Sequence, residues 1–110
     1  MKSILSAAIG FVCIGTVASA NIDMETVVYV CEGGEIIHAT YIDTDQASAV
    51  VLNIAGQQVA LHDAISGSGV RYAVPEGQKG YDWHTKGDDA VLSLYSATND
   101  EILARECQVQ

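Results

Sequence analysis

From Thr26 onward apolar residues recur at every second position, and no window keeps the 3.6-residue apolar period that a helix of useful length needs. β-Branched residues are dense throughout, and turn-forming clusters interrupt them at short intervals. The chain therefore reads as a succession of short strands. Thr26 to Cys31 is the first, and Glu32-Gly33-Gly34-Glu35 turns it into Ile36 to Ile42. Asp43-Thr44-Asp45-Gln46 leads to Ala49 to Ile54, with Val50, Leu52 and Ile54 on one face. Ala55-Gly56-Gln57 makes a tight hairpin into Gln58 to His62, with Val59 and Leu61 inward. Gly69 to Val74 comes next, closed by Pro75-Glu76-Gly77-Gln78, where proline pre-sets one turn torsion and glycine permits the other. Tyr81 to Thr85, then Asp89 to Ser96 with Ala90, Leu92 and Leu94 inward, then Glu101 to Val109 after Asn99-Asp100, complete the set.

Eight such strands in a small domain predict an all-β fold, a small antiparallel eight-stranded β-barrel. An open meander would leave long edges unpaired, and closure removes them. An interior of this strand number is just filled by side chains or holds one small ligand. The inward Val, Leu, Ile and Ala predict a packed interior.

Residues 1–20 read as a secretory signal peptide outside this fold. Lys2 supplies the positive start, Ile4 to Val17 the apolar run, and Ala18-Ser19-Ala20 the small-residue cleavage pattern. The run is shorter than the ~20 residues that span a bilayer. A lipoprotein signal needs a small residue before its acceptor cysteine, and Val12 precedes Cys13. The expectation is cleavage after Ala20, a periplasmic location, no membrane anchor in the mature form, and a single domain over 21–110. Of the three cysteines, Cys31 and Cys107 then remain. In an oxidising compartment their default state is a disulfide. It would join the first and last strands, closing a loop of about 76 residues, a crosslink of ~4.5 kcal/mol by chain entropy.

Without the leader, four basic residues face 14 acidic ones, a net charge of −10. That disfavours nucleic acid and anionic membranes and favours a basic protein partner, through an attraction that salt weakens. A homodimer is left open. Ser68 lies between Gly67 and Gly69, with His62, Asp63, Asp82 and His84 near in sequence. A nucleophile elbow needs G-x-S-x-G between a strand and a helix; here Ser66 takes the first glycine position and no helix follows. His38, His62 and His84 have no metal-ligand spacing, and Asp43-Thr44-Asp45 lacks the glycine and glutamate of a calcium loop. No metal and no cofactor are expected. Lys86 precedes Gly87-Asp88. From the residues alone it either flanks a hairpin turn or is a functional cation.

Tyr29-x-Cys31, Ser68-Gly69-x-x-Tyr72, Tyr81 with Lys86-Gly87-Asp88-x-Ala90-x-Leu92, and the late Cys107 resemble the membrane-bound and periplasmic inhibitors of C-type lysozyme. The resemblance runs from about Tyr29 to Cys107. It implies a non-enzymatic inhibitor on an eight-stranded barrel, with a C-type lysozyme as partner. In such inhibitors a motif serine and a motif lysine enter the lysozyme cleft and meet its two catalytic acids; here those positions are Ser68 and Lys86. Gly69 and Gly87 would shape the two loops, Tyr72 would anchor the serine loop, and Tyr81 belongs to the same lysozyme-binding motif. C-type lysozymes pair one protonated carboxylic acid with one ionised carboxylate. An ammonium ~4 Å from a carboxylate gains roughly 4 kcal/mol at an effective dielectric of 20, before desolvation. It also favours the ionised form of the general acid, the wrong state for protonating a leaving group. Three departures from the family pattern stand out. The lipoprotein cysteine is missing, the Ala73 to Gly80 connection is a few residues longer, and His84 sits where an aromatic ring is common, with Trp83 one place earlier. The competing reading is a small periplasmic barrel that binds an apolar ligand or serves as an accessory domain of the envelope.

Overall fold

The computed structural model describes residues 21–110. The signal peptide, its cleavage after Ala20 and Cys13 lie outside the described residues. Eight strands follow one another: β1 (Ile22–Cys31), β2 (Ile36–Thr44), β3 (Ser48–Ile54), β4 (Gln57–Ala64), β5 (Val70–Ala73), β6 (Gly80–Lys86), β7 (Asp89–Tyr95) and β8 (Glu101–Val109). Each pairs antiparallel with the next, and β8 pairs back onto β1, so the sheet closes into a barrel in sequence order. A short 3₁₀ turn, Glu32–Gly34, links β1 to β2.

Closure is brief. Only Tyr29, Val30 and Cys31 of β1 face β8, opposite Val109, Gln108 and Cys107. The expected disulfide sits at this seam, between Cys31 and Cys107, which are direct cross-strand partners. Two residues join β3 to β4, Ala55 and Gly56, both with positive φ, the backbone twist that suits a tight hairpin. Gly87 and Asp88 join β6 to β7, and Gly87 takes the positive φ of 62° at the first turn position.

The interior is filled rather than hollow. Trp83, Ile37, Leu52, Leu92 and Val50 are fully buried, with Tyr29, Leu61, Tyr72 and Ala90 around them. The packed interior and its aliphatic majority match the sequence expectation, and a group of aromatic rings is built into it. Tyr29 and Trp83 pack T-shaped, their planes at 87° and centroids 5.0 Å apart, and Tyr41 packs on Tyr72 at 5.7 Å. The polar tips of these rings are satisfied. Trp83 Nε1 donates to Tyr41 Oη at 2.9 Å, and the Tyr41 and Tyr29 hydroxyls are 2.6 Å apart.

Alternating strand direction sorts the connections. The β2–β3, β4–β5 and β6–β7 loops share one end of the barrel, while the β1–β2, β3–β4, β5–β6 and β7–β8 loops share the other. The long connection between β5 and β6 therefore extends the far end, away from the loops that carry Ser68 and Lys86.

Candidate functional site

Residues 65–69 connect β4 to β5, and Ser68 lies exposed near the end of that loop. Lys86 is the last residue of β6 and is also exposed. β5 and β6 are direct neighbours, with Val70 opposite Thr85 and Arg71 opposite His84. Beyond Val70 the ladder ends, and the serine loop folds back against Thr85 and His84 of β6, the two residues that precede Lys86. The serine loop and the lysine turn are thus adjacent at one end of the barrel.

Gly69 shows how close the approach is. Its φ is +67°, and a Cβ there would collide with the carbonyl oxygen of Thr85 on β6. Only glycine combines that torsion with so near a neighbouring backbone. The loop therefore lies flat against β6, and two side chains tie it there. His84 Nε2 is 2.7 Å from the Ser68 carbonyl oxygen and 3.1 Å from Ser66 Oγ. Arg71 Nε pairs with Asp82 Oδ2 at 2.6 Å while its Nη1 donates to the Ile65 carbonyl at 3.2 Å. Arg71, Asp82 and His84 alternate with the buried Tyr72 and Trp83, so all three face outward. Asp82 is nonetheless buried, its charge matched by the guanidinium.

The motif residues separate into two groups. Ser68, Gly69, Lys86 and Gly87 come together at one end. Tyr72 is buried in the core beneath the loop, opposite Trp83. Tyr81 is half-buried against the core at the other end of β6, about 17 Å along the strand from Lys86. Trp83 is fully buried, so the ring one place before His84 faces inward and makes no rim contact. The hydrolase constellation does not assemble. His84 reaches Ser66 Oγ and the backbone of Ser68, and Asp82 spends its carboxylate on Arg71. Among the described residues no group of three or more His, Cys, Asp or Glu side chains could hold a metal ion. No helix among them is long and apolar enough to cross a membrane.

Burial pushes the hydroxyls of Tyr29, Tyr41 and Tyr72 above their ordinary value of 10.0. For Tyr41 the next cause is its hydrogen bond to Tyr29, partly opposed by the bond from Trp83. Tyr41 accepts from the indole and shares a hydrogen bond with the Tyr29 hydroxyl.

Residues 29–101 match the family described as membrane-bound lysozyme-inhibitor of C-type lysozyme, MliC. The chain belongs to that family. It is 34% identical over 89 residues to a membrane-bound lysozyme inhibitor of C-type lysozyme from Cupriavidus necator, covering 80% of this chain and 68% of that protein. Its fold matches Pseudomonas aeruginosa MliC, solved in complex with hen egg white lysozyme, at a TM-score of 0.64 with 24% identity, over 96% of this chain and 99% of the other. It also matches PliC from Salmonella typhimurium, a periplasmic lysozyme inhibitor of C-type lysozyme, at a TM-score of 0.60 with 15% identity, over 79% and 98%. The MliC family is one of inhibitor proteins rather than enzymes, and its members are membrane-bound or periplasmic.

The sequence left Arg71 facing either solvent or a carboxylate of its own domain, and it takes the carboxylate of Asp82. The Ser66–His84–Ser68 contacts and the Arg71 bond to Ile65 escaped the sequence reading. A signal for both was present. Alternation along β6 puts Asp82, His84 and Lys86 on one face and Tyr81, Trp83 and Thr85 on the other.

Proposed function

We propose that this chain inhibits a C-type lysozyme by presenting Ser68 and Lys86 together to the enzyme's active-site cleft. The observation that carries this reading is the register between β5 and β6, which sets the serine loop beside the lysine turn at one end of the barrel. Lys86 brings an ammonium to the ionised carboxylate of the cleft, and the Ser68 hydroxyl can donate or accept a hydrogen bond beside it. Both catalytic acids are then occupied, and the general acid is biased toward its useless ionised form.

Gly69 and Gly87 set the shape of the two loops, and Tyr72 supports the first from inside the barrel. Tyr81 belongs with the scaffold. Ile65 and Val70, exposed apolar residues flanking the serine, add contact area at the same end. The leader directs the protein to the periplasm, where cleavage after Ala20 releases a mature form without an anchor. That the P. aeruginosa relative was crystallised with a C-type lysozyme, and that its fold extends over nearly the whole of this chain, supports this partner class.

The test is a lysis assay. Purified residues 21–110 should slow peptidoglycan hydrolysis by a C-type lysozyme at near-stoichiometric amounts. Full lysozyme activity at a large molar excess would reject the proposal.

A further inference from the structure

The loop that carries Ser68 makes little regular structure of its own, yet its backbone is tied down at both ends. At its start the Ile65 carbonyl accepts from Arg71, whose guanidinium is itself fixed by the buried carboxylate of Asp82. At its other end the Ser68 carbonyl accepts from His84 Nε2. A carbonyl can only accept, so Nε2 must carry the proton. Ser66 Oγ also donates to the Ser68 carbonyl and in turn lies 3.1 Å from the same Nε2. One imidazole N–H therefore serves both the hydroxyl of Ser66 and the carbonyl of the residue whose side chain is to be presented.

We infer that His84 is a positioning residue for Ser68: its Nε2–H holds the serine backbone in the orientation that binding requires. This rests on the reading of Ser68 as a contact residue. His84 does not touch the partner in this scheme. It acts through the loop, fixing it against β6 before any complex forms, so that association spends no free energy on ordering the segment. Lys86 follows two residues later on the same face of the same strand, so one short stretch of β6 both presents the cation and fastens the hydroxyl beside it.

The experiment compares His84→Ala with His84→Gln. Glutamine Nε2 has the same reach from Cβ as imidazole Nε2 and can donate to the same carbonyl, whereas alanine cannot. Inhibition of lysozyme and amide hydrogen exchange across residues 65–70 are measured for each. His84→Ala should weaken inhibition ~10-fold, the loss of one well-placed hydrogen bond, and speed exchange at Gly69 and Val70. His84→Gln should return both to within about 3-fold of the parent. Equal losses for the two variants would overturn the assignment, because ring bulk rather than the N–H would then be at work. So would parent-like exchange in His84→Ala. If the parent itself fails to inhibit, the proposed function falls, while the exchange comparison still decides whether His84 holds the loop.

Discussion

At the residue scale, the positions that matter are those where one residue type alone meets a geometric demand. Gly69 is the sharpest case, with positive φ and no room for a Cβ beside the Thr85 carbonyl. Gly69→Ala should push the serine loop off β6 and weaken inhibition more than its cost in stability explains. A lysis assay alongside a thermal melt would reveal this, and unchanged inhibition would deny the loop its role. Gly87 has positive φ but open space around it, so its demand is torsional only. Turn chemistry alone left Lys86 either a hairpin flank or a functional cation, and only the family resemblance singled out Ser68, Gly69, Lys86 and Gly87. The sequence left the Arg71 partner open and did not expose the hold of Arg71 and His84 on the loop backbone. Those contacts link a loop to the outer face of a strand many positions away, and their geometry exists only once β5 and β6 are in register.

At the scale of elements, the strand count and nearly every turn were readable, because alternation and turn chemistry are properties of short windows. The ends were less so. β1 starts at Ile22, four residues before the β-branched run, because Ile22 to Val28 pair along β2 as far as Thr44 without needing β8. The aromatic cluster within the core was hidden for a different reason. Tyr29, Tyr41, Tyr72 and Trp83 come from β1, β2, β5 and β6, and the stagger of the closed barrel brings them together. Their hydrogen-bond chain makes a sharp prediction. Tyr41→Phe keeps the ring but leaves the buried Trp83 N–H without its acceptor, which should cost about 1–3 kcal/mol of unfolding free energy. Denaturant unfolding would measure it. A parent-like midpoint would mean that the indole finds another partner.

On the scale of the whole molecule, electrostatics acts in two ways. Three tyrosine hydroxyls have folded-state values raised by burial above 10.0. Below that value both folded and unfolded chains keep the phenol protons, and stability is indifferent to them. As pH rises past about 10 the unfolded chain loses its protons first, so stability falls progressively toward the folded-state values. Melting temperatures should therefore drop above about pH 10, with tyrosinate absorbance appearing together with unfolding, and a flat profile across that range would refute the buried network. The second effect is the acidic surface, 14 acidic against four basic residues in the described chain, which steers a basic partner toward the barrel. Lys86, next to the serine loop, then carries the opposite sign to the acidic protein around it. The inhibition constant of Lys86→Ala against a C-type lysozyme, set beside that of the parent, tests this most directly. Loss of a charge contact buried in the complex predicts at least ~30-fold weaker inhibition with an unchanged melting temperature. An inhibition constant equal to the parent's would contradict it.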